Sequence, residues 1–273
     1  MVKRFWFFVN DYSLEPPLVI CTWYSAVCLA CGFRCELISL AVLYITIFLG
    51  YSLDRFFEPD ENGFVLSERH RLTKESRKTT FIIFSIILLL ESFLMIKFYN
   101  SKFIISVVTV CIISLVNLFF PKIFHKYCES LFLGKEFRNA ILLTVFLCLF
   151  IVESEQSKIF SFTHFILIFS IFLFNLLLIS LIDKNNDNIK SLTKLQKNPT
   201  VLNKLILYIF YIPIIYAIIF EFRLSFLLFL IFVEITFCLS YFTSVFCSPI
   251  FRRRLVDTIF WFIPLLYILF IVA

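Results

Sequence analysis

Residues 159–182 read IFSFTHFILIFSIFLFNLLLISLI, twenty-four positions without one Asp, Glu, Lys or Arg. The apolar residues do not alternate, which argues against a barrel strand, and as an α-helix the run spans about 36 Å, more than the roughly 30 Å hydrocarbon core of a bilayer. Lipid forces every backbone N–H and C=O to be paired within its own segment, and a helix satisfies that demand. Eight further apolar runs lie at about 18–33, 37–53, 80–98, 103–120, 138–153, 202–220, 225–246 and 258–273. The expected fold class is all-α: a polytopic membrane helical bundle of about nine transmembrane helices, in a single transmembrane domain over 1–273.

Composition points the same way. Of the 273 residues 61% are apolar, 16% are charged and 39 are Phe, more apolar surface than a soluble domain of this size has interior to hide.

Lys and Arg orient the chain, because cytoplasmic loops of membrane proteins carry the positive excess. Alternate loops hold Lys3 and Arg4, then six basic residues in 54–79, four in 121–138, five in 183–204 and three in 252–254. The opposite set holds only Arg34, Lys97, Lys102, Lys158 and Arg223. Nine crossings with a cytoplasmic N-terminus produce this split; eight or ten scramble it. The opening Lys3-Arg4-Phe5-Trp6-Phe7-Phe8 is read as an interfacial anchor rather than a cleaved leader, since Asn10, Asp11 and Glu15 interrupt its apolar part. The net charge of +6 is spread over membrane-adjacent loops, which implies attraction to anionic membrane lipids and no nucleic-acid partner. The 9 cysteines lie mostly within apolar runs and read as small core hydrophobes. Cys28, Cys31 and Cys35 share one helical face, and packing is preferred there over a metal cluster.

Chemistry concentrates in two cytoplasmic loops, at about 54–79 and 183–201. After the second run come Gly50-Tyr51-Ser52-Leu53-Asp54-Arg55-Phe56-Phe57-Glu58 and then Ser67-Glu68-Arg69-His70-Arg71; after the sixth comes Asp183-Lys184-Asn185-Asn186-Asp187. Each places two carboxylates four residues apart, a spacing that puts both on one helical face, Asp54 with Glu58 and Asp183 with Asp187. Carboxylates and phosphate oxygens are the ligands Mg²⁺ prefers, so two such pairs suit a Mg²⁺-bridged diphosphate, with Arg55, Arg69, Arg71 and Lys135 supplying positive charge to the leaving group. Either pair alone is more often a solvated helix boundary than a metal site; two pairs on the same membrane side bring the two readings level.

Nine helices with acidic motifs after the second and the sixth resemble the UbiA superfamily of intramembrane prenyltransferases, over nearly the whole chain. Its local carriers are Leu53 to Glu58, Ser67 to Arg71, Lys135-Glu136, Asp183 to Asp187 and Arg254 to Asp257. The resemblance implies a prenyltransferase of a bacterial inner (plasma) membrane with its active face cytoplasmic. Mg²⁺ held by Asp54, Glu58, Asp183 and Asp187 would bind the diphosphate of an isoprenyl donor and promote loss of pyrophosphate. An allylic cation would remain for a lipophilic acceptor to attack, with Asp54 and Asp183 the catalytic carboxylates. The family's first motif opens with Asn-Asp where this chain has Gly50-Tyr51, and its last Asp is Glu58, which points to a UbiA-like branch with an altered first motif. Two other readings stand beside the enzyme: a non-catalytic isoprenoid- or lipid-binding member of the fold, and a transporter in which Glu91 and Glu234 are the coupling acids. Both glutamates lie near mid-span, where they shape an acceptor site, relay a proton or tie two helices together; Asn117 and Asn175 read as interhelical glue. His70, His125 and His164 show no ligand spacing.

Overall fold

The computed structural model describes residues 15–57, 77–123, 134–153, 162–184, 199–219, 224–246 and 249–272. Among them all regular structure is helical: α1 (Glu15–Cys31), α2 (Leu37–Phe57), α3 (Arg77–Phe98), α4 (Ser101–Ile123), α5 (Gly134–Glu153), α6 (Phe162–Lys184), α7 (Pro199–Ile219), α8 (Leu224–Phe246) and α9 (Pro249–Val272). Each expected apolar run falls on one of them. The helices overrun the runs where polar residues continue a helix that apolar ones began. Thus α9 starts at Pro249 rather than near 258 and carries Arg252, Arg253 and Arg254 in its opening turns. Pro16 and Pro17 open α1 behind Glu15, positions where a missing N–H costs no hydrogen bond. Among the described residues three helices are by length and composition long and apolar enough to cross a membrane: α3 through Phe81–Phe98, α8, and α9 through Leu255–Val272.

The chain divides into two compact units, Met1–Cys21 with Glu36–Ser114, and Thr22–Cys35 with Leu115–Ala273. In the first, α2 packs on α3. Two side-chain bridges stitch the pair. Tyr99, just past the end of α3, donates to Ser39 Oγ at 3.0 Å, and Thr46 hydrogen-bonds Glu91. From 39 to 46 α2 advances two turns while the chain retreats two turns from 99 to 91, so the bridges sit on one antiparallel seam. Much of α3 is open: Phe81, Ile86, Leu89, Phe93 and Ile96 are exposed on several sides of it.

In the second unit α6 is the hub, packed by α5, α7, α8 and α9. Its sequence is apolar on every face, the pattern of a helix surrounded by others, and Leu167, Ile171, Phe174, Leu177, Leu178 and Ile182 are all buried. α8 and α9 pack most closely. α9 buries Val256, Phe260, Ile263 and Tyr267, and α8 buries Phe226, Phe229, Val233, Phe237 and Ser240, both at three- and four-residue steps along one stripe. Aromatic rings fill the centre. Phe174 stacks on Phe237 with centroids 3.9 Å apart and planes 8° from parallel, and Trp23 meets Phe229 edge-on at 6.1 Å. The buried Tyr267 hydroxyl donates to the Ser225 carbonyl at 3.0 Å.

α1 ends by reversal. Gly32 has φ of 75°, a conformation costly for a residue with a Cβ. The Phe33 N–H reaches the Cys28 carbonyl at 2.7 Å and the Gly32 N–H the Leu29 carbonyl at 3.3 Å, a Schellman closure.

Candidate functional site

The acidic motifs begin at the ends of two apolar helices. Asp54 and Arg55 lie in the final turn of α2 and Asp183 in the final turn of α6, while Lys135 lies in the first turn of α5. Glu58, Arg69, Arg71 and Asp187 lie outside the described residues, as do His70 and His125. Among the described residues no group of three or more His, Cys, Asp or Glu is placed to hold a metal ion. Beside Lys135, Glu136 is buried in the first turn of α5, where a carboxylate meets the positive end of the helix dipole. At Gly50, where the resemblance lacks its Asn, a Cβ would meet nothing within 4 Å.

The two mid-span glutamates differ. Glu91 ties two helices together: Thr46 Oγ1 of α2 is its partner, and Thr46 also reaches the Val42 carbonyl at 2.9 Å. A threonine hydroxyl has one proton, so both contacts are filled at once when Glu91 keeps its own proton and donates to Thr46. Thr46→Val is expected to lower stability in detergent by about 1 kcal/mol, the usual net worth of one hydrogen bond, and Glu91→Gln, which retains a donor, by less. Thermal unfolding of the purified variants measures both; a Glu91→Gln loss larger than that of Thr46→Val would exclude a carboxyl that donates.

Glu234 has no such tie. Both its carboxyl oxygens are buried without a hydrogen-bond partner among the described residues, and so are Asn175 Oδ1, Ser240 Oγ and Trp23 Nε1. Asn175 Oδ1 therefore does not bridge helices there. One turn beyond Glu234, Cys238 joins Phe210, Tyr211, Tyr241 and Phe242 around an apolar groove of about 190 Å³ between α7 and α8. Ligand pockets usually measure about 300–1,000 Å³, so this groove is too small to be a substrate chamber alone. His164 packs edge-on against Phe226 at 5.8 Å, a core contact.

The three clustered cysteines are free thiols. Hydropathy marks them as packing, yet the turn at Gly32 returns Cys35 to α1, with its sulfur 3.4 Å from Ser25 Oγ. The glycine beside the cluster was the signal available for this fold-back. Compared with protein-family models, curated proteins and solved structures, the chain matches none.

Proposed function

We propose that this chain is a nine-crossing integral membrane protein with a cytoplasmic N-terminus, and a UbiA-type enzyme that transfers an isoprenyl group from an isoprenyl diphosphate to a lipophilic acceptor. The observation that carries the reading is the placement of acidic residues: two long apolar helices, α2 and α6, run into Asp54 and Asp183 in their last turns. In a nine-crossing topology both of these helix ends lie on the cytoplasmic side. Supporting the membrane reading, the nine helices among the described residues run from 17 to 24 residues, and α3 leaves most of its large apolar side chains exposed, a surface that lipid covers without cost.

The carboxylates of Asp54, Glu58, Asp183 and Asp187 are hard oxygen donors of the kind Mg²⁺ takes, and the ion when bound would neutralise the diphosphate. Arg55, Arg69, Arg71 and Lys135 would draw negative charge off the departing pyrophosphate. The apolar helices would hold the isoprenoid tail and keep water from the reacting carbon.

The orientation is tested by attaching membrane-impermeant maleimide to single cysteines introduced in 58–76 and at Asn100. Labelling of the first only from the cytoplasmic side, and of the second only from the other, is expected; the reverse would overturn the topology. The reaction is tested by pyrophosphate release from a panel of isoprenyl diphosphates with membrane lipid extract, with and without Mg²⁺. Gly50 and Tyr51, standing where the resemblance has Asn-Asp, favour a second reading, an isoprenoid-binding protein without turnover; tight binding with no release would select it.

A further inference from the structure

We propose that Cys28 and Cys35 are a redox-active thiol pair that closes to an intramolecular disulfide by exchange with a disulfide donor. The turn that ends α1 builds the pair. Gly32, at φ of 75°, reverses the chain, and Phe33, only 4% exposed, anchors the returning strand of backbone through its bond to the Cys28 carbonyl. Cys35 is thereby laid along the face of α1 that carries Ser25 and Cys28, three residues apart. Its sulfur lies 3.4 Å from the Ser25 hydroxyl, one turn along that face from Cys28. Cys28 is fully buried, whereas Cys35, outside both flanking helices, is half-buried and open to reagents. Cys31 lies in the same turn, and among the described residues no group of three or more His, Cys, Asp or Glu is placed to hold a metal ion.

The Cys28 thiol holds the Cys35 pKa down to about 6, helped by Ser25 and against the opposing effect of burial. Cys35 is then a thiolate at neutral pH and the attacking member of the pair. Its sulfur attacks one sulfur of a small disulfide RSSR, breaking the S–S bond and releasing RS⁻, which takes a proton. Cys28 then loses its proton and attacks the Cys35 sulfur, releasing the second RS⁻. Two cysteine thiols are oxidised, RSSR is reduced to two RSH, and the protons balance. In the proposed topology this connection lies on the non-cytoplasmic side, where disulfides persist.

Arg34 makes the test direct, because trypsin cuts between the two sulfurs. Full-length protein in detergent is treated with oxidised glutathione, free thiols are alkylated, and the tryptic peptides are identified by mass. Peptide 35–55 is expected joined to peptide 5–34 and two hydrogens lighter than the two alone, in the wild type and in Cys21→Ser and Cys31→Ser, but not in Cys28→Ser. A link through Cys21 or Cys31, or Cys35 left as its glutathione adduct, would overturn the pairing. The alkylation rate of Cys35 in unoxidised wild type is expected to reach half its maximum near pH 6, and at a higher pH in Ser25→Ala. A wild-type midpoint near the ordinary thiol value of about 8.5 would count equally against it.

Discussion

Replacing either Asp54 or Asp183 by Asn is expected to reduce Mg²⁺-dependent pyrophosphate release by roughly 10²–10³-fold, the scale set by removing one preorganised electrostatic contact to a developing anion. Asn keeps the shape of Asp and removes only the charge, so a loss of that size without a drop in thermal stability isolates the carboxylate's chemistry from its structure. Both residues close long helices whose backbone hydrogen bonding does not depend on the side chain. The effect should fall on turnover and on the Mg²⁺ requirement together. If release persists at the wild-type rate in either variant, that carboxylate does not hold the metal and the prenyl-transfer reading fails for it. The open space at Gly50 gives the converse experiment: a Gly50→Asn, Tyr51→Asp variant meets no clash at the new Cβ of residue 50 and should release pyrophosphate faster.

Long apolar runs made the helices legible because an unbroken apolar run without alternation has the pattern and length of a helix, and each run falls on one. α6 could be read as an enclosed helix from its lack of any polar face, and among the described residues it is packed by four neighbours. Helix ends were less legible. Hydropathy reports where the apolar stretch stops, whereas the backbone continues through Asp54 and back from Leu255 to Pro249. The interior acids show a second limit. Glu91 and Glu234 look alike in sequence, each alone in an apolar helix, and only tertiary placement gives Glu91 a threonine while Glu234 has no hydrogen-bond partner among the described residues. The acidic motifs mark the third. Their first members sit in helices, but Glu58 and Asp187 lie outside the described residues, so the spacing of each pair rests on sequence alone.

The largest loss of stability is expected from Phe237→Ala or Phe174→Ala, at or below the low end of the about 3–5 kcal/mol usual for emptying a core phenylalanine site. In a membrane the unfolded helices remain in hydrocarbon, so the transfer part of that cost shrinks. What remains is the cavity and the lost dispersion contacts, which packing in lipid depends on. Both rings are fully buried and stacked at 3.9 Å, and Phe210, which lines the groove between α7 and α8, lies against Phe237 at 6.4 Å. Because the two share one contact, the double variant should lose less than the two single losses together, by about 0.5–1.5 kcal/mol. Phe93→Ala on α3 is the control: that ring is 59% exposed, and its removal should change stability by less than about 0.5 kcal/mol. Equal losses at Phe93 and Phe237 in a detergent unfolding series would mean that α3 is enclosed in the native protein, by a second chain or by another part of this one, and that its apolar surface does not face lipid.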